Sequence, residues 1–515
     1  MSDPEQPQNL ARQACATCRR QRRKCTRQLP SCQLCLKSRR VCEYPSEVDS
    51  PQSAVSGSHL PLRDPAVALF FLDSYMFRRR NTVTKTPRIQ PPHEIVELVE
   101  NKADVQLSVQ IYFAEVHPLF PIVSKLKLLQ DLAAASFQPP KADTQVLLVA
   151  IRLSCQSLEG YSTGEATQAS LYWKTKRALS CLEANGILSI RLLQALLLVT
   201  YYEISNAIYP SAFMSVAMCA RVGQAIGIHD HTRAPQMLPV RTSLVEHEEA
   251  RRTWWGIIVL DRYITIGPEY RPFSCLGPSP DALLPMDEGS WESGEPRIRP
   301  SLAVSAAVDN SACPFARTCQ AASLLSRVLL HINHRPDDYD AYYAESLMLA
   351  RAATAFALAV AHEAGALGDP QLAPLLPALG LAYSTQLALF DAHSCAECLS
   401  FEGNVGSPGQ LEMQQVALEG LLALSPRVAS LARRIVGMLG HGGGVRAVSP
   451  LVLDCLYQTA KQQAWYFRET SKREVFDDYT TVREALAAAG HTQIRANEYL
   501  VILDGDDLRL EGYAP

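Results

Sequence analysis

The sequence lacks the features that would send a protein across or into a membrane. Residues 1–14 contain no apolar core, so we expect no secretion signal there. The apolar run LMLARAATAFALAVA, from Leu347, is interrupted by Arg351 and is shorter than the about 20 residues that span a bilayer. We therefore expect a packed internal helix at this run and no membrane partner.

Signatures of common enzyme classes are also scarce. No phosphate-binding P-loop and no dinucleotide fingerprint occurs. GYSTG (160–164) fits the serine-hydrolase pattern and HGGG (441–444) resembles an oxyanion loop, but that loop should precede the serine. HSCAEC contains a single CxxC pair, Cys395 and Cys398, without partner ligands. We expect no enzyme and name no catalytic residue.

Alternating polar and apolar residues, the pattern of β-strands, are rare after residue 100, and no repeat of 20–50 residues is evident. Apolar residues instead recur every three or four positions, as in RLLQALLLVTYYEIS. The sequence therefore predicts an all-α domain over residues 101–476, with loops at 267–291 and 440–444. A linker with one short helix, AVALFFLDSYMFRRR, precedes it at 46–100, and a C-terminal segment, 477–515, follows.

Acidic residues are absent from Arg12 to Cys42, a stretch that holds ten Lys or Arg although the whole chain has a net charge of -3. A short basic head on a mildly acidic body indicates a head that meets a polyanion and a body that does not. The polar residues 1–14 are expected to be disordered. The basic head coincides with a repeated cysteine pattern.

Six of the fifteen cysteines form two copies of C-x2-C-x6-C, CATCRRQRRKC and CQLCLKSRRVC, displaced by 17 residues. The candidate metal ligands are Cys15, Cys18, Cys25, Cys32, Cys35 and Cys42.

One zinc held by the two CxxC pairs would leave Cys25 and Cys42 unused. Two tetrahedral zincs need eight ligand places, which six thiolates fill if one equivalent cysteine of each copy bridges both ions. We therefore favour two Zn²⁺ ions per chain over one ion, and over three disulfides, which conflict with the missing secretion signal. About thirty residues this polar cannot bury a sufficient core, so metal binding must supply the folding free energy.

Residues 15–45 resemble the fungal zinc binuclear cluster transcription factors. The cysteines are in register, a basic run precedes the third, Pro30 lies between the copies, and CEYP ends the match. The resemblance implies that Cys15 and Cys32 bridge the zincs. One ion would take Cys15, Cys18, Cys25 and Cys32, and the other Cys32, Cys35, Cys42 and Cys15.

The same resemblance implies how the first copy meets DNA. Arg22, four residues after the second cysteine, would enter the major groove of a CGG-type triplet, with Gln21 near the base edges. Arg19, Arg23 and Lys24 would hold phosphates. Thr26 departs from the family pattern, which often has Asp there, and the change is expected to loosen the loop.

Three later stretches resemble the fungal-specific transcription factor middle domain. They are IYFAEVHPLFPIV from Ile111, ARVGQAIGIHDHTR from Ala220, and EHEEARRTWWGIIVLDRYITIGPEYRPF from Glu246. Tyr270 departs from that pattern, since a small residue usually precedes Arg-Pro. The resemblance implies an all-helical regulatory domain. Its expected core residues are Trp254, Trp255 and Ile258, and structural hydrogen bonds are expected from Asp261 and Arg262.

The expected fold class is a small metal-stabilised zinc binuclear cluster domain followed by a large all-α regulatory domain. We expect a nuclear, sequence-specific transcription factor of RNA polymerase II genes, an activator of one metabolic or biosynthetic gene set. Its partners would be double-stranded DNA and the transcription machinery. An enzyme with a DNA-binding zinc head is the alternative. An RNA-binding or adaptor zinc protein is disfavoured, because residues 15–42 contain no stacking aromatics.

The oligomeric state stays open in the sequence. Residues 46–101 do not show three heptads of apolar a and d positions, so no coiled coil is expected directly after the linker. A homodimer formed through the body and a monomer that binds one triplet both fit.

Overall fold

A computed structural model describes most of the chain and divides it into two compact units, residues 1–60 and 61–515. The described residues are 11, 14–21, 23–43, 64–80, 89–134, 139–156, 165–239, 241–267, 271–294, 301–334, 337–395, 407–440 and 448–507. Most of the expected disordered N-terminus and much of the expected linker lie outside this set.

The first unit contains two five-residue helices, α1 (Ala16–Arg20) and α2 (Gln33–Lys37), one in each cysteine copy. Its buried residues are cysteines, so it has no hydrocarbon core of its own within the described range. A unit this small needs a cross-link other than apolar burial.

The regular secondary structure among the described residues of the second unit is helical, apart from one isolated β-bridge between Leu283 and Ala303. This confirms the expected fold class. One π-helical turn occurs at Tyr112–Val116, and 3-10 turns occur at Ala373–Leu375 and Pro450–Val452. The α-helices are α3 (Pro65–Leu72), α4 (Ser74–Arg79), α5 (His93–Glu100), α6 (Lys102–Ile111), α7 (Lys125–Ala134), α8 (Ala142–Cys155), α9 (Glu165–Ala184), α10 (Ile190–Ser205), α11 (Ser211–Ala225), α12 (Leu244–Ile264), α13 (Glu288–Ser293), α14 (Pro314–Ile332), α15 (Tyr339–Gly365), α16 (Asp369–Leu372), α17 (Leu376–Ser394), α18 (Pro408–Leu439), α19 (Leu453–Thr470), α20 (Arg473–Gly490) and α21 (Ile494–Asp507).

Helix α12 runs through the core of this body. It starts with a capping box, in which the Ser243 hydroxyl accepts from the Glu246 amide and the Glu246 carboxylate accepts from the Ser243 amide. Trp255 and Ile258 are buried as expected, whereas Trp254 is only half-buried. A Cβ added at Gly223 of α11 would lie 2.9 Å from the Ile257 side chain, so this glycine permits the close approach of α11 and α12.

Charged side chains buried along α12 serve the fold. The Asp261 carboxylate accepts from the backbone amides of Ser274 and Cys275 at 3.0–3.2 Å. The Arg262 guanidinium donates to the Cys275 carbonyl and the Ser326 hydroxyl and lies 4.0 Å from the Phe273 ring centroid. Both residues make the structural hydrogen bonds expected from the sequence.

The helical body extends beyond the domain limits expected from the sequence, residues 101 and 476, at both ends. Helix α5 lies in the expected linker, yet Ile95 is fully buried in the core. The expected end of the regulatory domain at residue 476 falls inside α20, and Leu486 and Leu503 of α20 and α21 are core residues. The helical body therefore begins before residue 100 and continues to at least residue 507, because buried apolar faces extend that far.

The short helix expected after the linker is two helices, α3 and α4, divided at Asp73, whose carboxylate caps α4 by accepting from Met76. Phe70 and Phe77 pack in an edge-to-face pair and bury against Met237. These helices are docked on the body.

Two helices are long and apolar enough to cross a membrane by length and composition, α15 and the segment Ala373–Ser394. The second includes α17, and 89% of its apolar window is buried inside the body, where α14, α15, α18 and α19 surround it. Helix α15 contains the run from Leu347, and 39% of its apolar window is buried. Core helices of globular proteins pass the same composition test, and α17 has the burial of such a helix.

Candidate metal centre and nucleic-acid interface

The two cysteine copies fold alike because the first cysteine of each caps its own helix. The Cys15 sulfur accepts a hydrogen bond from the Cys18 amide at 3.5 Å, and the Cys32 sulfur accepts one from the Cys35 amide at 3.4 Å. A C-x2-C spacing puts the second cysteine at the third helical position, where the amide has no partner within the helix. Both sulfurs of each pair are thereby brought to the same helix end.

Both helices also end alike. The Arg23 amide donates to the Cys18 carbonyl, and the Arg40 amide donates to the Cys35 carbonyl, each at 3.0 Å. In the second copy Arg39, the residue just before Arg40, has a φ of 48°. This is the left-handed conformation that commonly terminates a helix. This turn sends the chain back toward the third cysteine of each copy.

Four sulfurs lie at the centre of the unit. Those of Cys15, Cys18, Cys32 and Cys35 are all within 4.8 Å of one another, and the four residues are buried. The distances are 3.8 Å for Cys15–Cys32, 3.6 Å for Cys15–Cys35 and 3.7 Å for Cys18–Cys32. Sulfurs that share a tetrahedral zinc at about 2.3 Å lie about 3.8 Å apart. The spacing fits zinc ligation, and the described cysteines form no disulfide.

Cys25 and Cys42 are half-buried and pack against the central four. The Cys42 sulfur accepts from the Cys32 amide at 3.2 Å, and the Cys25 sulfur accepts from the Cys15 amide. Both thiols also interact with the side chains of Cys15 and Cys32. The structure thus brings all six predicted ligands together, with Cys15 and Cys32 in contact with both outer thiols.

The thiol pKa values show why this donor set suits a cation. Burial raises the pKa of the Cys18 thiol to about 12, and the neighbouring Cys15 and Cys32 sulfurs raise it further. Burial also acts to raise the pKa of Cys25, but backbone amides of Cys15 and Arg27 outweigh it and lower the value to about 7. Closely spaced buried thiols ionise together only where a metal ion compensates their charge. The residues therefore fit zinc.

The basic residues of the first copy lie at the exposed end of α1. Arg19 is on the helix, Gln21 is its C-cap, and Arg23 and Lys24 follow in the return toward Cys25; all four side chains are exposed. Arg22 lies outside the described residues. The sequence predicts a helical turn through this run, but α1 ends at Arg20 because the chain must turn back to place Cys25 against the cluster.

Exposure by itself does not distinguish the two copies. Lys37, Arg39 and Arg40 of the second copy are exposed as well. What differs is the number of basic residues between the second and third cysteines, which is larger in the first copy. The expected difference between the two copies in DNA contact therefore rests on their number of basic residues and not on side-chain exposure.

Two threonines that join the copies were not identified as structural residues from the sequence. The Thr17 hydroxyl donates to the Val41 carbonyl at 2.8 Å, and the Thr26 hydroxyl accepts from the Gln33 amide at 3.0 Å. Thr26 thereby satisfies an amide at the start of α2, so it restrains the loop that it was expected to loosen. Their positions next to cysteines were the available signal.

The candidate catalytic patterns contribute no assembled site among the described residues. GYSTG, HGGG and Cys398 lie outside the described residues. In the described part of the chain, the group of His, Cys, Asp and Glu side chains close enough to hold a metal is the four-cysteine cluster.

Known proteins match both units. A family profile described as the fungal Zn(2)-Cys(6) binuclear cluster domain matches residues 13–50, and one described as the fungal specific transcription factor domain matches residues 109–349. Transcription factor BOA15 of Botryotinia fuckeliana is 31% identical over 183 residues, which are 36% of this chain and 98% of that protein.

Two relatives from Monascus ruber match over longer stretches. The pigment biosynthesis transcriptional activator pigB is 25% identical over 338 residues, 57% of this chain and 58% of its own length. The citrinin biosynthesis transcriptional activator mrl3 is 24% identical over 395 residues, 64% of this chain and 75% of its own length.

The cysteine cluster, its basic surface and the helical body define a DNA-binding zinc protein with a regulatory domain. The chain belongs to the fungal zinc binuclear cluster transcription factors, with a fungal-specific transcription factor domain behind the cluster. It is a transcription factor and not an enzyme, as the sequence predicts.

Proposed function

We propose that this transcription factor acts in the nucleus, reads CGG-type triplets, and activates one metabolic or biosynthetic gene set transcribed by RNA polymerase II. The observation that carries the DNA-reading part is the pair of matching helices that share one sulfur centre, with a basic surface on the first. Relatives named as activators of pigment and citrinin biosynthesis support the pathway part.

The metal centre is proposed to hold two zinc ions with Cys15 and Cys32 as shared ligands. Each of the three sulfur contacts at 3.6–3.8 Å involves Cys15 or Cys32. Both outer thiols, Cys25 and Cys42, interact with this pair. A single zinc on the four central cysteines is the alternative that fits the same distances. Zinc supplies the cross-link that holds α1 and α2 together.

The cluster positions its basic residues by pointing every cysteine inward. Arg19, Arg23 and Lys24 are then free to meet phosphates, whose attraction is independent of base sequence and weakens with salt. Gln21 is the C-cap residue of α1. Its side chain is exposed and can reach a base edge. Arg22 is the proposed bidentate partner of guanine O6 and N7, which is the commonest specific contact.

Selection of bound sequences from random duplex DNA tests the proposed reading. We expect CGG-type triplets to be enriched. The Arg22→Ala variant should lose about 1–3 kcal/mol of discrimination at that triplet. The matched Arg23→Ala variant should weaken binding to specific and random DNA alike, with a smaller salt slope. Equal losses on both DNAs from Arg22→Ala would refute the assignment of the base contact.

The pathway assignment has its own measurement. Transcript profiles of fungal strains with and without the gene should differ in one coordinated set, with expression lost in the deletion strain. A rise of that set on deletion would show a repressor.

Two further measurements address localisation and oligomeric state. A fluorescent fusion at the native locus reports whether the protein is nuclear. The mass of the purified protein bound to a selected DNA site separates a monomer from a homodimer.

A further inference from the structure

Helix α15 presents an apolar side to solvent. Its apolar window is 39% buried, whereas the window that includes α17 is 89% buried. Met348 and Leu358 are 60% and 44% exposed, and Ala352 and Ala355 between them are exposed as well. These residues recur every three or four positions, so they lie on one side of the helix.

Helix α18 lies beside α15 and runs in the same direction. Near the start of both helices, a Cβ added at Gly409 would lie 3.2 Å from the Tyr343 side chain. Near their ends, the Arg434 guanidinium donates to the Ala364 carbonyl at 2.8 Å. Both helices also pack on α17. The outward sides of α15 and α18 therefore form one surface of the body.

The α18 half of this surface exposes apolar residues too. Leu411, Leu418 and Leu422 are 55%, 42% and 50% exposed. We call the exposed residues within 340–362 of α15 and 411–433 of α18 the α15–α18 face. A soluble protein that exposes apolar side chains along two adjacent helices commonly uses them to bind another protein.

The size of the α15–α18 face is that of a protein interface. Between the Tyr343–Gly409 and Ala364–Arg434 contacts the two helices run together for about 35 Å, and side by side they are about 20 Å wide. The face therefore covers about 700 Å² in projection. A stable interface of standard size buries about 800 Å² on each partner.

The charges at the two ends of the face are opposite in sign. Asp340 and Glu412 are exposed at the end where both helices start. Arg433 lies at the other end, where its pair with Asp478 at 3.8 Å leaves the arginine side chain 62% exposed. A second copy rotated by 180° about an axis across the helices would place the acidic end of each copy over the basic end of the other.

The middle of the face suits the same arrangement. Ala352 and Ala355 would lie near the rotation axis, where their small side chains let α15 approach the α15 of a second copy closely. Arg351 and Glu419 are exposed at similar distances from the Tyr343–Gly409 contact and have opposite signs, so they add no net charge to the middle of the face.

We propose that the α15–α18 face is a homodimer interface, on which a second copy of this chain packs with α15 against α15 and α18 against α18 in opposite directions. Residues 46–101 show no heptad pattern for a coiled coil, so a dimer of this chain would use the body. The dimer goes beyond the proposed function and does not depend on it, because the face lies entirely in the helical body.

Sedimentation velocity of the zinc-loaded full chain, without DNA, tests the dimer. The wild type should sediment as a dimer at about 10 μM. Ala352→Glu/Ala355→Glu puts four carboxylates near the axis of the dimer, so its dissociation constant should rise at least about a hundredfold. The control Ala133→Glu/Ala184→Glu, at exposed positions of α7 and α9, should dimerise like the wild type. A monomeric wild type, or an unchanged dimer in Ala352→Glu/Ala355→Glu, would overturn the proposal.

Charge exchange tests the orientation of the two copies. Glu412→Arg and Arg433→Glu each bring like charges together, so each should weaken the dimer by about tenfold. The chain that carries both substitutions exchanges the two signs and should dimerise like the wild type. A double variant as weak as either single one would contradict the opposed arrangement.

DNA binding of the same samples separates this proposal from the proposed function. On a duplex with a single CGG triplet, Ala352→Glu/Ala355→Glu should keep the sequence preference of the wild type. A loss of dimerisation with that preference intact supports the interface, whereas a loss of both in a chain whose circular dichroism has changed shows unfolding and leaves the charge-exchange variants to decide.

Discussion

Residues 15–43 and the helical body bury very different materials. The first unit buries four cysteine sulfurs, whereas the body buries a continuous set of Leu, Val, Ile, Ala and aromatic side chains. A small unit depends on a bound ion for folding free energy, and a large one obtains it from apolar burial. The contrast teaches that two parts of one chain can lose their folds independently, under different treatments.

Zinc removal is the largest expected effect. A strong chelator should unfold residues 15–43 and abolish specific DNA binding while the body stays folded. All five tryptophans lie between Trp173 and Trp465, so tryptophan fluorescence reports the body alone, and gel shifts report the cluster. Specific DNA binding that survives complete zinc removal, or a body that melts with the cluster, would break the comparison.

The number of zinc ions held by the first unit is the next effect to measure. Cys32→Ser should lose both zincs, because Cys32 is a proposed shared ligand, whereas Cys42→Ser should retain about one by the four-ligand rule. Native mass spectrometry counts the ions. Cys181→Ser, at a half-buried cysteine of α9, is the control and should keep both. One zinc in the wild-type protein would establish the single-ion alternative.

The body should respond most to loss of a buried charge. Glu249 is 2% exposed and accepts from Arg191 at 3.1 Å and from Gln194 at 3.0 Å. Glu249→Ala removes the buried acceptor that Arg191, Gln194 and Lys127 share. Arg191 keeps its ion pair with Asp131 at 3.0 Å, so we expect the free energy of unfolding to fall by about 3 kcal/mol, the low end for breaking a buried pair. Urea melts followed by tryptophan fluorescence measure this change.

An exposed ion pair provides the matched control. Glu94 and Arg177 pair at 2.8 Å with side chains 41% and 65% exposed. Glu94→Ala should cost about 0–1 kcal/mol because water screens the pair. A similar cost for both variants would show that burial does not set the energetics of the body. Zinc content should stay unchanged in both.

Acid should weaken the body through histidine. His117 is buried, its Nε2 lies 3.0 Å from the Val123 carbonyl, and burial lowers its pKa to about 3, with Arg252 lowering it further. The folded pKa lies below the unfolded value of about 6.5, so this stability is complete above pH 6.5 and declines as the pH falls toward 3. Between pH 7 and pH 5 the loss is about 2 kcal/mol from His117.

His117→Gln tests the histidine contribution, because glutamine can still donate to the Val123 carbonyl but does not titrate. The variant should show a shallower decline of unfolding free energy between pH 7 and pH 5 than the wild type. An unchanged slope would contradict the assignment to His117.

The smallest effect concerns the loop between the cysteine copies. Thr26→Ala removes the acceptor for the exposed Gln33 amide, and we expect about 0.5–1.5 kcal/mol weaker zinc binding in competition with a chelator of known affinity. Thr26→Asp restores an acceptor and should return the affinity to the wild-type value. A gain of affinity in Thr26→Ala would show that the threonine strains the loop.

The cluster was largely predictable because its contacts are local. Cys15 to Cys42 spans 28 residues, and a fixed spacing places the first two cysteines of each copy at the start of a helix. The helical class of the body was predictable too, since apolar residues at three and four predict helices without knowledge of their partners. Asp261 and Arg262 were correctly expected to be structural.

Other features depend on contacts between residues far apart in the chain. The sequence divided the body at residue 476, although α20 crosses that limit, because only packing shows that Leu486 joins the core. Nothing local in the sequence indicates that Glu249 meets Arg191.

Spacing within a few turns of chain was enough to predict the helical class of the body and to place the positive charge and the six cysteines proposed as metal donors close together in the chain. The limits of the body, the end of α1 at Arg20 and the buried ion pair of Glu249 with Arg191 came from the tertiary structure. These require side chains from separate helices to meet, and burial sets their energies only after the core has assembled.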